Sequence, residues 1–364
     1  MMIVNKKIGE AVPFSVMVLM EGCTIALTIL AKTAMTGGLS PFVFVVYTNA
    51  IGTLILLPYS FLFHRERTEQ SLFTIPLFLR FFFLGLIGIA LSQNLAFVGL
   101  SYSSPIVVCA MGLLIPAFSF ILAIFLRMAK LDLNSSSFQF KAIGTLITIT
   151  GALVVVFYKG PFVRQDSPSI LKLHQKQQLL VFYSTPDHWA LGGFLLAGSF
   201  LCVSIWNLIQ MGTVKHHPHV MKIAAFYSLA GTIQCAIFSL IVERDLDAWK
   251  LKLNLDLILI IVTALFGSVI RGSLQILFTR MRGRFYVPLF QPFRIFWATF
   301  FGVSFFANSL HYGSIIGTVI CGMGYYTVMW GQAREDGKQK PHDVERADTS
   351  DEKVPLLQDQ DAEA

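Results

Sequence analysis

Three ionisable side chains lie inside long apolar segments of the chain. A charge there is energetically costly, so such a residue usually forms an ion pair or belongs to a functional site. Counted from the predicted cytoplasmic end of each segment, Glu21 is about eight residues into the first, Arg271 about seven into the eighth and Arg294 about nine into the ninth. At 1.5 Å per residue, all three fall at depths of roughly 10–14 Å. Because they share a depth, we expect them to pair or to line one polar cavity.

Glu21 belongs to a polar stripe, since Thr24, Thr28 and Lys32 follow it at spacings of three, four and four residues. Such a stripe in a membrane helix faces protein or water rather than lipid. Glu21 is therefore a candidate to bind a substrate ammonium group or to carry a coupling proton. The alternative is a structural ion pair with a nearby arginine. Lys32 is expected to extend to the outer interface.

The two intramembrane arginines are candidates to hold an anionic group. Arg294 can clamp a substrate carboxylate through two parallel hydrogen bonds, which suits the planar guanidinium. Arg271 is the second candidate, and extension towards the cytoplasmic surface is its alternative. Gln291 lies three residues before Arg294, and Gln275 lies four residues after Arg271, so that both amides extend these polar faces.

Several amide side chains also lie within the apolar segments. Hydrogen bonding between helices is the default explanation for them. Gln93 and Asn94 are the best candidates to line a substrate path, because two adjacent amides cannot both face one neighbour. The amides of this group are Asn49, Gln93, Asn94, Asn207, Gln210 and Gln234.

The elements that carry these residues are predicted to be membrane-spanning helices. The 364 residues are 55% hydrophobic and only 13% charged, about half the charged fraction of a soluble domain, and the mean hydropathy is +0.65. Apolar blocks of about 17–25 residues suffice to cross roughly 30 Å of hydrocarbon as helices. The blocks are 13–31, 41–63, 77–100, 105–126, 142–158, 189–209, 220–242, 255–278, 285–306 and 312–330.

The ten blocks divide five and five around one long polar loop. Because five is odd, the second half enters the membrane from the opposite face, and related halves then form an inverted repeat. Ile-Gly-Thr recurs at Ile143–Thr145 and Ile316–Thr318. In both copies a second glycine follows seven residues after the glycine of this motif. The predicted fold is an all-α membrane protein with a 5+5 inverted repeat. Its parts are an N-terminus at 1–12, repeats at 13–158 and 188–331, an outer loop at 159–187 and a disordered tail at 332–364.

The basic residues sort by membrane side. With the N-terminus inside, 18 of the 28 Lys and Arg residues fall on cytoplasmic segments, eight fall outside and two, Arg271 and Arg294, lie within spans. The positive-inside rule thus predicts that both termini are cytoplasmic. The sequon at Asn134 is then cytoplasmic and unused. Location is predicted as the plasma membrane or the vacuolar membrane.

Other function classes lack their motifs. There is no HExxH, GxSxG or P-loop, and the five cysteines show no metal-ligand spacing. We therefore predict no enzyme activity, no cofactor and no metal site. The net charge of +7 comes without a basic-aromatic cluster, so nucleic acid is not expected as a partner. In the tail, Glu352, Leu356 and Leu357 form an acidic dileucine pattern that clathrin adaptors could bind.

Several longer runs resemble a known family. They are ERDLDAWKL at 243–251, SPFVFVVYTNA at 40–50, and the stretches at 102–128, 143–161 and 309–335. Together they resemble the plant Walls-Are-Thin-related (UmamiT-type) transporters, which have two EamA-like halves and belong to the drug/metabolite transporter superfamily. The resemblance implies ten helices, inward termini and facilitated movement of amino acids, auxin or related metabolites. Glu21 matches a polar position common in the family, whereas Arg271 and Arg294 stand where it tends to have uncharged residues.

The sequence thus predicts a secondary transporter or facilitator of small metabolites in the lipid bilayer, with amino acids as the leading substrate class and alternating access as the mechanism. Glu21 would contact the ammonium group or a proton, and Arg294 the carboxylate. An auxin or indole-compound transporter is the alternative within this class. A membrane sensor or scaffold that does not transport is the alternative from another class. The oligomeric state stays open.

Overall fold

Each predicted apolar segment corresponds to a helical span in the computed structural model. We number these spans α1–α10. Most of their first and last residues lie within a few residues of the predicted boundaries, and some helices are longer than the predicted apolar block. The structure describes residues 2–63, 75–127, 134–158, 160–161, 188–216, 220–251, 254–283, 285–305 and 311–351. The spans are α1 (Met2–Thr36), α2 (Pro41–Phe63), α3 (Ile75–Tyr102), α4 (Pro105–Phe125), α5 (Ser136–Phe157), α6 (Trp189–His216), α7 (Val220–Val242), α8 (Leu255–Arg282), α9 (Pro288–Phe305) and α10 (Tyr312–Asp351).

Within the described residues, eight helices are long and apolar enough to cross a membrane, namely α1 to α8. The ninth and tenth predicted spans are helical too, as the 3₁₀ turn Pro288–Phe290 followed by Phe293–Phe305, and as Tyr312–Asp351. The prediction of an all-α membrane fold is confirmed, and all ten predicted spans are helical in the described residues. Below, the N-terminal face is the face of the helix bundle at which α1 begins, and the opposite face is the other.

Helices α3 and α8 share an unusual element. Each contains six residues of π-helix near its middle, Leu86–Leu91 in α3 and Phe266–Arg271 in α8. A π segment is rare and often marks a functional site. Because α3 and α8 are the third helices of their halves, the two segments occupy equivalent places and show the internal repeat in backbone geometry.

The fifth helices of the two halves pack against each other along glycines. A Cβ atom built on Gly151 would lie 2.8 Å from the carbonyl oxygen of Gly317, and one built on Gly144 would lie 2.8 Å from that of Gly324. Residue numbers rise in α5 as they fall in α10, so the helices are antiparallel, as the inverted repeat requires. Only glycine permits backbones to approach this closely. We call this contact the glycine seam.

Helix α10 continues to Asp351, whereas the sequence predicted a polar, disordered tail from residue 332. The stretch 332–351 combines residues that favour a helix, namely Gln, Ala, Arg, Glu and Lys, with Gly337 and Pro341, which disfavour a helix interior. The helix is therefore longer than the apolar block that begins it. The remainder of the tail, with Glu352, Leu356 and Leu357 of the dileucine pattern, lies outside the described residues.

Candidate substrate site

Glu21 and Arg294 form an ion pair in the interior of the bundle. The Nε–H group of Arg294 donates to Oε2 of Glu21, and the two side chains are 17% and 1% exposed. The other carboxylate oxygen of Glu21, Oε1, has no hydrogen-bond partner among the described residues. The structure thus brings together two of the three groups that the sequence placed at one depth, and leaves one acceptor of Glu21 unused.

Close packing between α1 and α9 positions this pair. The indole Nε1–H of Trp297 donates to the carbonyl oxygen of Val18 at 2.9 Å. Gly22 makes room for this indole, since a Cβ there would lie 2.8 Å from the Trp297 ring. Arg294 lies three residues before Trp297 and therefore on the same face of α9. The glycine beside Glu21 and the tryptophan beside Arg294 together hold the two charges against each other.

Arg271 lies close enough to the pair to interact electrostatically with both Glu21 and Arg294. Its guanidinium makes no hydrogen bond or ion pair within the part of the chain that the structure describes. The three groups therefore carry a net charge of +1 when all are ionised. A positive balance of this kind inside a membrane favours an anionic or zwitterionic ligand.

Two further side chains, Cys109 and Tyr325, lie next to Arg294, and neither could be recognised as a site residue from the sequence. Cys109 of α4 contacts the carbonyl oxygen of Arg294 through its sulfur, at 3.8 Å. Tyr325 of α10 donates to the carbonyl oxygen of Pro288 at 2.7 Å and interacts electrostatically with Arg294. Nothing in their spacing distinguishes them from ordinary core residues. Only the way in which α4 and α10 pack against α9 brings them to the site.

The amides Asn49, Gln93 and Asn94 lie towards the opposite face, between α2, α3 and α7. Asn49 donates to Oε1 of Gln93 at 2.6 Å and thereby joins α2 to α3. Asn94 donates to the sulfur of Cys235 in α7 at 3.3 Å, and its own Oδ1 has no partner among the described residues. The two adjacent amides thus face different neighbours. Among the residues that the structure describes, no hydrogen bond connects this cluster to the ion pair.

Gln275 and Gln291 are half-buried, and the structure gives their side chains no hydrogen bond among the described residues. They lie on the helices that carry Arg271 and Arg294. Their role as substrate candidates stays a prediction from the sequence.

Lys32 corrects an expectation. It does not extend to the interface, since only 1% of the residue is exposed. Its ammonium group donates to the carbonyl oxygens of Leu100 at 3.0 Å and Ser101 at 2.6 Å. These carbonyls belong to the last turn of α3, at the negative end of the helix dipole, and the carbonyl of Leu100 also accepts from the backbone N–H of Ser103 at 3.2 Å. Lys32 therefore ties the end of α1 to the end of α3.

Comparisons with known proteins agree with this architecture. A family model described as the EamA-like transporter family matches residues 15–157. Two WAT1-related proteins of Arabidopsis thaliana are 57% and 55% identical, over 97% and 95% of this chain and the same shares of theirs. A third is 38% identical over 90% of this chain. One solved crystal structure shares the fold, with a TM-score of 0.50 and 15% identity over 86% of this chain and 96% of the other.

Proposed function

We propose, from the premise that the chain belongs to the WAT1-related family of EamA-like transporters, that it moves amino acids across its membrane by alternating access. Membership makes the chain a multi-pass membrane transporter of the drug/metabolite type. The substrate class, the mechanism and the site are the parts that we propose. Our candidate site is the Glu21–Arg294 pair together with Arg271.

The observation that carries the proposal is the unused oxygen of Glu21 beside two arginines. An amino acid needs one anionic acceptor for its ammonium group and one cationic donor for its carboxylate, close together and away from water. Oε1 of Glu21 offers the acceptor, and the guanidinium groups offer the donor. A zwitterion adds no net charge to the interior, so its passage does not increase the cost of burying the site.

The location of the pair supports alternating access. Glu21 belongs to the first half and Arg294 to the second, and inverted-repeat transporters bind substrate where the halves meet. The π segments in α3 and α8 are equivalent irregular points in the two halves. We propose that the halves rock about this region and expose the site to one side at a time.

Transport by the purified protein in lipid vesicles tests the proposal. We expect wild-type vesicles to take up an amino acid and the Glu21→Gln and Arg294→Gln variants to lose most of this flux, because each variant breaks the ion pair of the site and strands a charge. Asp247→Asn is the matched control, since Asp247 is an exposed carboxylate paired with Lys250. Unaltered uptake by both site variants would remove the site assignment, and no uptake of any amino acid by wild type would remove the substrate class.

A second candidate substrate follows from the charge balance. Because Glu21, Arg271 and Arg294 sum to +1, an indole carboxylate such as auxin would neutralise the site fully, which favours a monoanion over a zwitterion. Competition between an unlabelled indole carboxylate and a labelled amino acid, in the same vesicles, separates the two substrates. Deleting residues 336–364 separates transport from the sensor or scaffold alternative: a transporter keeps its flux, whereas a scaffold that acts through its tail loses its function.

We further propose that both termini are cytoplasmic, in the plasma membrane or the vacuolar membrane. The excess of Lys and Arg on the predicted inner segments supports this orientation. Adaptor binding at Glu352, Leu356 and Leu357 is part of the same proposal, since the motif is then on the cytoplasmic side.

A further inference from the structure

Leu91 and Arg271 occupy the same position in two equivalent elements. Leu91 is the last residue of the π segment in α3, and Arg271 is the last residue of the π segment in α8. The backbone forms the same irregular turn in both helices, with leucine at its end in one and arginine in the other. The arginine is therefore not needed to build the segment, and its cost inside a membrane, about 3 kcal/mol when unpaired, calls for another explanation.

Arg271 lies on the side of α8 that faces α1. One π turn earlier, Phe266 packs against a cluster that contains Met17 and Met20 of α1, and Leu274, which follows Arg271 by three residues, packs there too. Met20 is adjacent to Glu21 in the chain. Arg271 thus faces the helix that carries Glu21, the carboxylate with which it interacts electrostatically.

That carboxylate is already engaged. Oε2 of Glu21 accepts from Arg294, which is the closer arginine. Among the described residues, no other Asp or Glu interacts with Arg271. The charge of Arg271 is thus the unbalanced part of the site, and a second anionic group is required to neutralise it.

There is also room beside Arg271. A Cβ atom built on Gly267 or Gly272 would meet no heavy atom within 4 Å, whereas one on Gly52 of α2 would lie 3.3 Å from Ser268. Helix α8 is therefore closely packed against α2 on one side and uncovered next to Arg271. Gly267 is exposed and Gly272 is half-buried, so the open side of α8 borders the outside of the bundle, and a ligand could reach the guanidinium from there.

We propose that Arg271 is the carboxylate anchor for the transported substrate, and that the site accepts organic acids and zwitterions with a free carboxylate but discriminates against their carboxamides. Arg294 then keeps Glu21 in place instead of binding the carboxylate itself. Oε1 of Glu21 stays available for the ammonium group of a zwitterion. This inference rests on the proposed transport function and gives it a named determinant of specificity.

The test compares acid and amide substrates in vesicles with the full-length protein. The probes are phenylalanine against phenylalaninamide, and indole-3-acetate against indole-3-acetamide. Arg271→Leu installs the residue that the equivalent π segment already has, and is thus expected to fold. Arg280→Leu removes an exposed arginine from the same helix and is the matched control. Arg271→Lys keeps the positive charge but lacks the planar guanidinium that donates two parallel hydrogen bonds. It serves as the test variant if Arg271→Leu cannot be purified.

We expect wild type to prefer each acid to its amide. Loss of hydrogen bonds from a charged donor should raise the KM for the acid by about 10- to 100-fold in Arg271→Leu, leave the amide within about twofold, and give an intermediate value in Arg271→Lys. Arg280→Leu should behave as wild type. The inference is overturned if wild type does not discriminate, or if Arg271→Leu retains the preference or slows acid and amide equally.

Binding decides the inference separately from transport. Indole-3-acetate and phenylalanine should raise the melting temperature of the detergent-solubilised wild-type protein and of Arg280→Leu, but not that of Arg271→Leu. A shift without flux would count against transport and in favour of the anchor. Equal shifts in both variants, or none with wild type, would count against the anchor.

Discussion

Glu21 and Arg294 form a buried ion pair that joins α1 in the first half of the chain to α9 in the second. The pair links residues 273 positions apart in sequence. A small and a large neighbour hold the pair in place: Gly22, which has no side chain, leaves the space that the indole of Trp297 fills. The contact between the halves and the candidate site are therefore the same structure, and changes to one should appear in the other.

Removing one member of this pair should destabilise the protein strongly. Glu21→Gln leaves Arg294 buried without its partner, which costs about 3–5 kcal/mol for a buried pair. The double variant Glu21→Gln/Arg294→Gln should cost less than the sum of the two single changes, because it removes both members of the ion pair and leaves the net charge of the site unchanged. Chemical unfolding of the purified protein in detergent measures both. Asp247→Asn, at an exposed pair, should cost no more than about 1 kcal/mol, and equal losses for Glu21→Gln and Asp247→Asn would contradict the prediction.

The glycine seam should not tolerate side chains. A Cβ on Gly151 would lie 2.6 Å from the backbone nitrogen of Cys321, which cannot move as a side-chain tip could. Gly151→Ala should therefore destabilise the protein by about 1–3 kcal/mol, and Gly151→Leu should reduce the folded yield further. Gly212→Ala, in α6, meets nothing within 4 Å and is the control. The prediction fails if the two alanine variants melt at the same temperature.

Lys32 should hold the end of α3 in place. Lys32→Met removes both hydrogen bonds to the carbonyls of Leu100 and Ser101, so the last turn of α3 loses its tie to α1. We expect faster amide hydrogen exchange at residues 99–103 in this variant, measured by mass spectrometry, and wild-type exchange in Lys32→Arg. Lys250→Met changes an exposed lysine and should leave this region unaffected. Unchanged exchange at 99–103 would show that the two bonds do not restrain the helix end.

The orientation has a direct test by glycosylation in cells. Asn134 should stay unmodified, because the proposed topology places it in the cytoplasm. The double change Gln175→Asn/Gln177→Thr creates a sequon in the proposed outer loop and should add one glycan, seen as a mass shift that endoglycosidase removes. A glycan at Asn134, with none in the loop, would reverse the proposed orientation.

The ends of the spans could be predicted closely because hydropathy determines where a helix enters and leaves the membrane. The predicted blocks 41–63 and 220–242 coincide with Pro41–Phe63 and Val220–Val242. The depth of a residue follows from the same counting, so Glu21 and Arg294 could be placed at one level. Counting residues fails for Lys32, since it placed this side chain near the interface, whereas the ammonium group binds the carbonyl oxygens of Leu100 and Ser101 at the end of α3.

Which arginine pairs with Glu21 could not be predicted. That choice depends on how each helix is rotated and on which helices are neighbours, and neither is encoded in local hydropathy. The π segments were also beyond prediction, because LIGIAL and FGSVIR share no pattern and a π turn depends on tertiary contacts. For the same reasons, the sequence could not show that Arg271 makes no ion pair with any residue that the structure describes.

The glycine seam has a consequence for how such a chain can arise. Gly144 and Gly317 are equivalent residues of the two halves, and so are Gly151 and Gly324. In the seam Gly144 meets Gly324, and Gly151 meets Gly317, so that each contact is the reciprocal of the other. This is the isologous geometry of a twofold dimer. A single ancestral five-helix chain, inserted into the membrane in both orientations, would already form this interface with itself, and fusion of two copies would have had only to join the ends.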